Sequence, residues 1–282
     1  MSEVDTVANE LDFKLVVSKK GKHRPKLRSK TQTSLQQLGD KTRADRTEFC
    51  QKTVLTQLQQ AEADLLQSEF LRECLDNIEP ILAGIEHIIC LGLGNFLDCT
   101  IARYQLAFFR CIRYKANLTV KGQFFDPVFT QPEVDALQAL GETVLPENLE
   151  GKYSVERKTL FFLPHCPKQI VNNLLWKNWH PNRLTNVVLL CNSFSTVVNN
   201  NPDRILRINA SYILRAARLF QEVPLRNIFR FGDIFNDTSL HHLPNGHTEN
   251  EHIDWDCTIE PSYEPDDLEL ISKKKVAKLE FA

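Results

Sequence analysis

A short apolar run that ends at two glycines and leads into a helical pattern constrains this chain more than any other feature. The run Ile88–Leu91 is followed by Gly92 and Gly94, and helical periodicity then continues to Phe109. In open α/β sheets, a strand, a glycine turn and a helix in this order bring the backbone close to a nucleotide-sized ligand. The segment therefore predicts the first strand and helix of such a sheet, with the turn beside a ligand.

The rest of the chain alternates between apolar runs and amphipathic stretches. The predicted strands are Ile88–Leu91, Gly122–Phe125, Thr159–Leu163, Val187–Cys191 and Ser239–Leu243, and the predicted helices are Thr100–Tyr114, Pro132–Leu140, Lys168–Trp179 and Asp203–Gln221. Apolar strands without polar alternation are typical of a parallel sheet that is covered on both faces. Right-handed crossovers make such a sheet doubly wound. The predicted fold class is α/β, with a Rossmann-like, mostly parallel sheet and helices on both faces.

Composition divides the chain into three regions. We predict a flexible basic arm at residues 1–45 and the α/β domain with a leading amphipathic helix at residues 46–245. Residues 246–282 are predicted to form a polar, acidic tail. The leading helix, Glu48–Ile78, is predicted because apolar residues recur every three or four positions. Pro80 and Gly84 are expected to end it.

Charge and hydropathy restrict the partners and the compartment. The net charge of −2 gives no indication of nucleic-acid or membrane binding. The sequence contains no apolar stretch near the ~20 residues of a spanning helix and no apolar core of a signal peptide behind its first charges. We therefore predict no membrane partner and a cytoplasmic location, with the nucleus as a second one. The eight cysteines show no paired spacing and predict free thiols.

The basic arm concentrates its positive charge in residues 14–30, which contain lysine and arginine but no acid. Three interpretations are open: a solvated tail, a nuclear-targeting patch, or nonspecific contact with nucleic acid. Apart from Phe13 no aromatic residue accompanies these charges. Base stacking is therefore not supported, and residues 14–30 predict at most weak nucleic-acid binding.

The glycine turn and the end of the second strand form the first candidate site. In dinucleotide and S-adenosylmethionine sites, glycines after the first strand admit the cofactor, and a carboxylate after the second strand binds ribose hydroxyls. Gly92, Gly94 and Asn95 would take the first role and Asp126 the second. The third glycine of the dinucleotide motif is replaced by Leu97, which disfavours NAD and leaves an adenosylmethionine-type nucleoside. The alternative is a tight turn without a ligand, in which Asp126 caps a helix or a turn.

Two further strands end in polar residues. His165 follows the third predicted strand, and Asn192 and Ser193 follow the fourth. The carboxyl ends of parallel strands share one edge, where open α/β sheets bind ligands. Histidine also serves as a base or a ligand near neutral pH. We therefore expect these three residues to border the same pocket as the glycines.

Cys166 raises a different ligand hypothesis. With Pro167 it matches the Cys-Pro pair of some regulatory haem sites, in which a thiolate binds iron. A nucleophilic role is disfavoured because the adjacent His165 side chain points away from it on an extended segment. No metal site is predicted, since the spacing of the late histidines and cysteine fits no zinc pattern: His241, His242, His247, His252 and Cys257.

Four segments resemble the Sensitivity-to-Red-light-Reduced family. They are Cys90–Phe109 (CLGLGNFLDCTIARYQLAFF), Phe124–Pro127 (FFDP), Phe161–Cys166 (FFLPHC) and Asn172–Trp179 (NNLLWKNW). The resemblance implies a regulatory protein of circadian clock input and of haem biosynthesis, acting through regulatory protein partners. It brings no catalytic residue. The function is therefore either regulation, with sensing of a nucleoside-type ligand, or catalysis by an S-adenosylmethionine-dependent methyltransferase-like enzyme.

Overall fold

The computed structural model describes residues 53–244, 253–256 and 259–264. The predicted arm, residues 1–45, lies outside these ranges, as do most of the acidic tail and the start of the predicted helix Glu48–Ile78. The proposed borders at residues 45 and 245 stay predictions.

Two helices precede the sheet. The first, α1, covers residues 53–66, and the second, α2, is Glu69–Leu82. Ser68 separates them, because its Oγ accepts a hydrogen bond of 3.1 Å from the backbone N–H of Leu71 and so caps α2. The prediction of one continuous helix that ends before Pro80 was wrong. Pro80 lies in the last turn of α2, where it removes one helical hydrogen bond and the helix need not stop.

The other elements alternate as predicted, with four additions, the strands β3 and β6 and the short helices α6 and α7. They are β1 (His87–Leu91), α3 (Thr100–Lys115), β2 (Gly122–Phe125), α4 (Gln131–Ala139), β3 (Thr143–Val144), β4 (Thr159–Leu163), α5 (Lys168–Lys177), α6 (Pro181–Leu184), β5 (Val187–Asn192), α7 (Phe194–Asn199), α8 (Asp203–Asn209), α9 (Ser211–Ala216), β6 (Gln221–Pro224) and β7 (Thr238–His242). The sequence missed β3, which is too short for a periodic pattern, and β6, which has no apolar run. One helix was predicted where α8, α9 and the start of β6 follow one another.

Within the described residues, seven strands form one mixed sheet in the order β3-β2-β1-β4-β5-β7-β6. Strands β3, β2, β1, β4 and β5 are parallel, and β7 runs antiparallel between β5 and β6. The predicted α/β class with a mostly parallel sheet is confirmed. The strand order reverses between β1 and β4. At such a reversal, open α/β sheets bind ligands beyond the carboxyl ends of their strands.

The hydrophobic core lies on both faces of the sheet. In β1, Ile88 and Cys90 pack under α1 to α4 on one face, and Ile89 and Leu91 pack under α5 to α9 on the other. Successive side chains of a strand point to opposite faces. A strand that is buried on both faces therefore needs apolar residues at consecutive positions, as the sequence shows. No helix in the described part of the chain is long and apolar enough to cross a membrane.

Candidate ligand-binding site

A cavity of about 270 Å³ opens at the carboxyl edge of the sheet, around the reversal of strand order. Its walls come from the ends of four strands and the chain that follows each of them: Leu91, Gly92 and Gly94 at β1, Phe125, Asp126, Pro127 and Val128 at β2, Asn148, Gly151 and Tyr153 after β3, and Cys166, Pro167 and Ile170 after β4. The walls are mainly apolar. Among these described residues, Asp126 is the one with a charged side chain.

The turn after β1 requires glycine at two positions. The φ angles of Gly92 and Gly94 are +67° and +79°, in the left-handed region that favours glycine. A Cβ on Gly92 would lie 2.5 Å from Sγ of Cys166, whereas a Cβ on Gly94 would meet only Cβ of Ala102, at 3.8 Å. Gly92 is therefore required by its backbone and by the close approach of Cys166, and Gly94 by its backbone alone.

Asp126 ties the end of β2 to this turn. Its Oδ2 accepts a hydrogen bond of 2.7 Å from the N–H of Gly94, and its Oδ1 accepts one of 2.9 Å from the N–H of Val128. Burial raises the pKa of the Asp126 carboxyl, although these two hydrogen bonds oppose the rise. Each carboxylate oxygen accepts two hydrogen bonds, so both oxygens retain the capacity to bind a donor from a ligand.

Asn95 and Arg103 hold the turn from outside the cavity. Oδ1 of Asn95 accepts a hydrogen bond of 3.1 Å from the N–H of Asp98. Nε of Arg103 donates to the carbonyl of Phe96 at 3.2 Å. The structure therefore gives Asn95, a predicted ligand residue, a supporting position behind the glycines.

His165 lies at the predicted edge, but the structure does not bring it into the cavity. Its φ of +50° is in the left-handed region, unusual for a residue with a side chain. The exposed imidazole turns to the loop before β7, where Nε2 donates to the carbonyl of Ile234 at 3.1 Å. The two residues after it, Cys166 and Pro167, do line the cavity.

Asn192 and Ser193 also follow a strand at this edge without lining the cavity. They belong to the end of β5, which lies beyond β4 from the glycine turn. Oγ of Ser193 accepts a hydrogen bond of 3.0 Å from the N–H of Thr196 and caps α7. Oδ1 of Asn192 is buried without a hydrogen-bond partner among the described residues. The shared edge was thus predicted, but the pocket extends across the sheet from β3 to β4 and does not reach the end of β5.

Cys166 does not fit the role of a haem ligand. Its Sγ is buried against the turn, 3.7 Å from the carbonyl oxygen of Leu91. Burial raises the pKa of the Cys166 thiol to about 12, and the Asp126 carboxylate adds to the rise. Iron ligation requires the thiolate, which this environment disfavours. Cys166 instead forms part of the wall behind Gly92.

Several wall residues were not predicted from the sequence. Asn148, Gly151 and Tyr153 belong to the loop between β3 and β4, which has no periodic pattern. Gly151 was the available signal: its φ is +83°, and a Cβ there would lie 2.3 Å from the carbonyl oxygen of Ile170. The loop therefore packs directly on the first turn of α5, and this contact closes one side of the cavity.

Residues 56–242 match the family described as the SRR1 domain. The chain belongs to the SRR1 domain family. The family resemblance found in the sequence is therefore confirmed. All residues that line the cavity lie inside the SRR1 domain.

Relatives from animals and a plant share this domain. An SRR1-like protein of Mus musculus is 36% identical over 186 residues, which cover 61% of this chain and 75% of that protein. An SRR1-like protein of Drosophila melanogaster is 32% identical over 187 residues, or 64% of this chain and 65% of that protein. The Arabidopsis thaliana Protein SENSITIVITY TO RED LIGHT REDUCED 1 is 34% identical over 110 residues, which cover 38% of this chain and 39% of that protein. The chain thus spans just under two thirds of the fly protein and about two fifths of the plant protein.

Two short segments beyond the SRR1 domain, residues 253–256 and 259–264, pack against it. The hydroxyl of Tyr263 donates to the carbonyl of Gln169 at 3.2 Å. Nζ of Lys152 and Oε1 of Glu260 are 2.8 Å apart. Gln169 and Lys152 both adjoin residues that line the cavity. Residues 259–264 are therefore anchored beside two of its walls.

A second polar cluster joins the strands at the other end of the sheet. The imidazole of His241 is fully buried, with Nε2 3.8 Å from Oε2 of Glu222. Ser195 donates to the same carboxylate oxygen from its N–H at 3.0 Å and from its Oγ at 2.7 Å. Oγ of Ser239 donates to Oε1 at 2.9 Å. Glu222 on β6 thus connects β7 with the start of α7.

We expect Glu222→Gln to lower the free energy of unfolding at pH 7 by roughly 1.5–3 kcal/mol, the range for hydrogen bonds to a charged group. Burial alone would raise the pKa of Glu222, but the neighbouring His241 imidazole and hydrogen bonds from Ser193 and Ser195 hold it well below its usual range. The carboxylate's contribution is therefore complete above the ordinary glutamate pKa of about 4.3 and declines as the pH falls below it.

Urea unfolding from pH 7 to pH 3 measures this difference. The difference in unfolding free energy between wild type and Glu222→Gln should shrink as the pH falls from about 4.3 towards 3. Glu156, an exposed glutamate before β4, supplies the control, and Glu156→Gln should follow wild type throughout. A constant gap between Glu222→Gln and wild type at every pH would contradict the assignment.

Proposed function

We propose that this chain is a regulatory protein that binds a nucleoside of the S-adenosylmethionine class in the cavity at the β1 turn. One observation carries the proposal: two left-handed glycines and the Asp126 carboxylate meet in one cavity at the reversal of strand order. Apolar walls with a single charged group are also typical of small-molecule sites. The plant relative's name refers to sensitivity to red light, which supports a regulatory role.

The chemistry of the walls favours a nucleoside over a dinucleotide. Pyrophosphate sites use basic side chains or the N–H groups at the start of a helix. The described lining contains no lysine or arginine, and α3 begins only at Thr100, outside the lining. A sulfonium nucleoside carries a positive charge and no phosphate. The Asp126 carboxylate would accept hydrogen bonds from its ribose hydroxyls, and the apolar walls would hold its base.

The surroundings of the cavity favour sensing over catalysis. The imidazole of His165 turns away to Ile234, and the Cys166 thiol is held in its protonated form. Asn192 and Ser193 lie outside the lining. The alternative, an S-adenosylmethionine-dependent methyltransferase-like enzyme, uses the same cavity, because methyl transfer to a strong nucleophile needs no protein base. Roles in the clock and in haem biosynthesis, the protein partners and the cytoplasmic or nuclear location stay predictions.

Thermal unfolding with added ligands tests the proposal. Adenosylmethionine, adenosylhomocysteine, NAD and haemin are added separately to the full chain. At a hundredfold excess over Kd, binding stabilises the native state by about 2.7 kcal/mol, which raises the Tm by about 5–11 °C when each kcal/mol shifts it by 2–4 °C. We expect this rise with the two adenosyl compounds and none with NAD or haemin. A rise with NAD alone, or with none of the four, would overturn the proposal.

Sensing and catalysis are separated by a labelled-methyl experiment. The chain is incubated with adenosylmethionine labelled in its methyl group and with a cell extract. Under the sensing hypothesis, no label above background is transferred to extract components. Transfer that requires Asp126 would replace sensing with the enzyme alternative and leave the nucleoside site in place.

A further inference from the structure

All three tryptophans of the sequence line one cavity at the amino edge of the sheet. They are Trp176 in α5, Trp179 shortly after it and Trp255 in the segment 253–256. This tryptophan cavity measures about 800 Å³ and lies where α5 ends and α6 leads into β5. Among the described residues, none lines both this cavity and the one at the β1 turn. A ligand bound here is therefore independent of the proposed nucleoside.

The indole of Trp255 forms a fixed aromatic surface in the tryptophan cavity. Its ring is partly exposed, and its centroid lies 5.8 Å from that of the buried Trp179 ring. Nε1 of Trp179 donates to the carbonyl of Asp254 at 3.1 Å, so the residue before Trp255 is tied to the same indole. A ring that is already held in place loses little conformational entropy when a planar group stacks on it.

Charged side chains surround this aromatic surface. Lys177 and Arg183 are exposed and line the cavity, and Asp256 is the one carboxylate among its described lining residues. Together these side chains leave a formal charge of +1. Within the described part of the chain, Arg183 and Asp256 form no ion pair and no side-chain hydrogen bond. Nζ of Lys177 lies 5.6 Å from the ring centroid of Trp176, a contact that leaves the ammonium charge in place.

An aromatic surface beside lysine and arginine is typical of sites for single-stranded nucleic acid. Bases stack on such a ring, and the cations bind the phosphates. The Asp256 carboxylate would repel a phosphate, but it accepts a hydrogen bond from a hydroxyl group. RNA carries such a donor in its 2′-hydroxyl, and DNA does not. We propose that the tryptophan cavity binds single-stranded RNA.

Two other classes of ligand also bind aromatic surfaces. Quaternary ammonium groups fit aromatic cages, but Lys177 and Arg183 would repel them. Proline-rich peptides lie in aromatic grooves and need no cation from the protein, so these two positive charges would have no partner. The combination of stacking surface, cations and one carboxylate therefore favours RNA over both.

Intrinsic tryptophan fluorescence of the full chain tests the proposal, because every tryptophan lines this cavity. Short oligouridylate and oligodeoxyuridylate strands, which differ only in the 2′-hydroxyl, are titrated with excitation at wavelengths that their bases do not absorb. We expect saturable quenching by oligouridylate, with an affinity at least about tenfold above that of the deoxy strand, the effect of one hydrogen bond to a charged group. Added salt should weaken the binding, since phosphate contacts release counterions.

Three variants assign the roles of the side chains. Trp255→Ala should lower the affinity for oligouridylate at least about fivefold through lost stacking, and Trp176 and Trp179 still supply the signal. Arg183→Gln should weaken the binding of both strands and reduce its salt dependence. Asp256→Ala should remove the preference for RNA. Arg204→Gln changes an exposed arginine of α8 outside the lining and should bind as wild type does.

The outcomes either support the site or exclude it. Because Arg183 and Asp256 are exposed, their variants should keep the Tm of wild type, which separates lost binding from lost folding. Absence of quenching by both strands, or equal losses in Arg183→Gln and Arg204→Gln, would overturn the proposal. Equal affinity of wild type for the two strands would overturn the assignment to RNA.

Discussion

Gly92→Ala is expected to abolish ligand binding at the β1 turn and to lower the free energy of unfolding by roughly 2–5 kcal/mol. A left-handed φ costs a residue with a Cβ about 1–2 kcal/mol, and overpacking a core costs about 1–3 kcal/mol. Both penalties apply at Gly92, whose φ is +67° and whose Cβ would lie 2.5 Å from Sγ of Cys166. Urea unfolding gives the stability, and calorimetric titration with adenosylhomocysteine gives the affinity.

Two further variants separate the backbone penalty from the steric one. Gly84 has a φ of +77° and nothing within 4 Å of an added Cβ, so Gly84→Ala should show the backbone penalty alone and leave binding intact. In the double variant Gly92→Ala/Cys166→Ala the clashing Sγ is gone, and it should be more stable than the sum of the two single changes predicts. Equal destabilisation by Gly92→Ala and Gly84→Ala would show that Cys166 does not confine the turn.

Asp126→Asn is expected to weaken adenosylhomocysteine binding by at least about tenfold, or 1.4 kcal/mol. The carboxylate accepts from Gly94 and Val128 through different oxygens, whereas an amide accepts through one atom only and presents N–H groups at the other. One backbone donor therefore loses its partner, which moves the turn away from the position that the ligand requires. Loss of a hydrogen bond to a charged group costs about 1.5–3 kcal/mol.

The pH dependence of binding provides a second measurement on the same residue. Burial raises the pKa of Asp126, so the carboxylate that binds donors is lost at a pH above the ordinary aspartate value of about 3.9. Wild-type affinity should fall as the pH is lowered through that raised pKa, and the affinity of Asp126→Asn should not change. Asp98→Asn, an exposed change in the same turn, should leave the wild-type profile unaltered. Full affinity in Asp126→Asn would exclude Asp126 as a ligand-binding residue.

The central strands could be predicted because burial on both faces leaves a strong signal in the sequence. Predicted and observed bounds of β1, β2, β4, β5 and β7 agree to within one residue at each end. Strand β3 has two residues, and β6 ends in a proline and is only partly buried, so neither produces an apolar run. The helix boundary at Ser68 could not be predicted either, because it depends on one hydrogen bond, from the N–H of Leu71 to Oγ of Ser68.

The candidate site could be predicted only as far as strand topology determines it. Gly92, Gly94 and Asp126 meet because the carboxyl ends of β1 and β2 are neighbours in a parallel sheet. The same rule placed His165 at this edge, but it does not say towards which side a side chain turns. That direction depends on Ile234, 69 positions later in the chain. The wall from the β3–β4 loop was missed because its packing on α5 has no sequence periodicity.

The segments that pack outside the SRR1 domain affect how the protein is best studied. Tyr212 donates its hydroxyl to the carbonyl of Ile259 at 2.9 Å, and Trp179 donates to Asp254. A chain shortened to residues 56–242 would leave both donors to water and would free Lys152 and Gln169 from their contacts with Glu260 and Tyr263. Affinities measured on such a fragment would refer to a protein that lacks these contacts. Both titrations should therefore use the full chain.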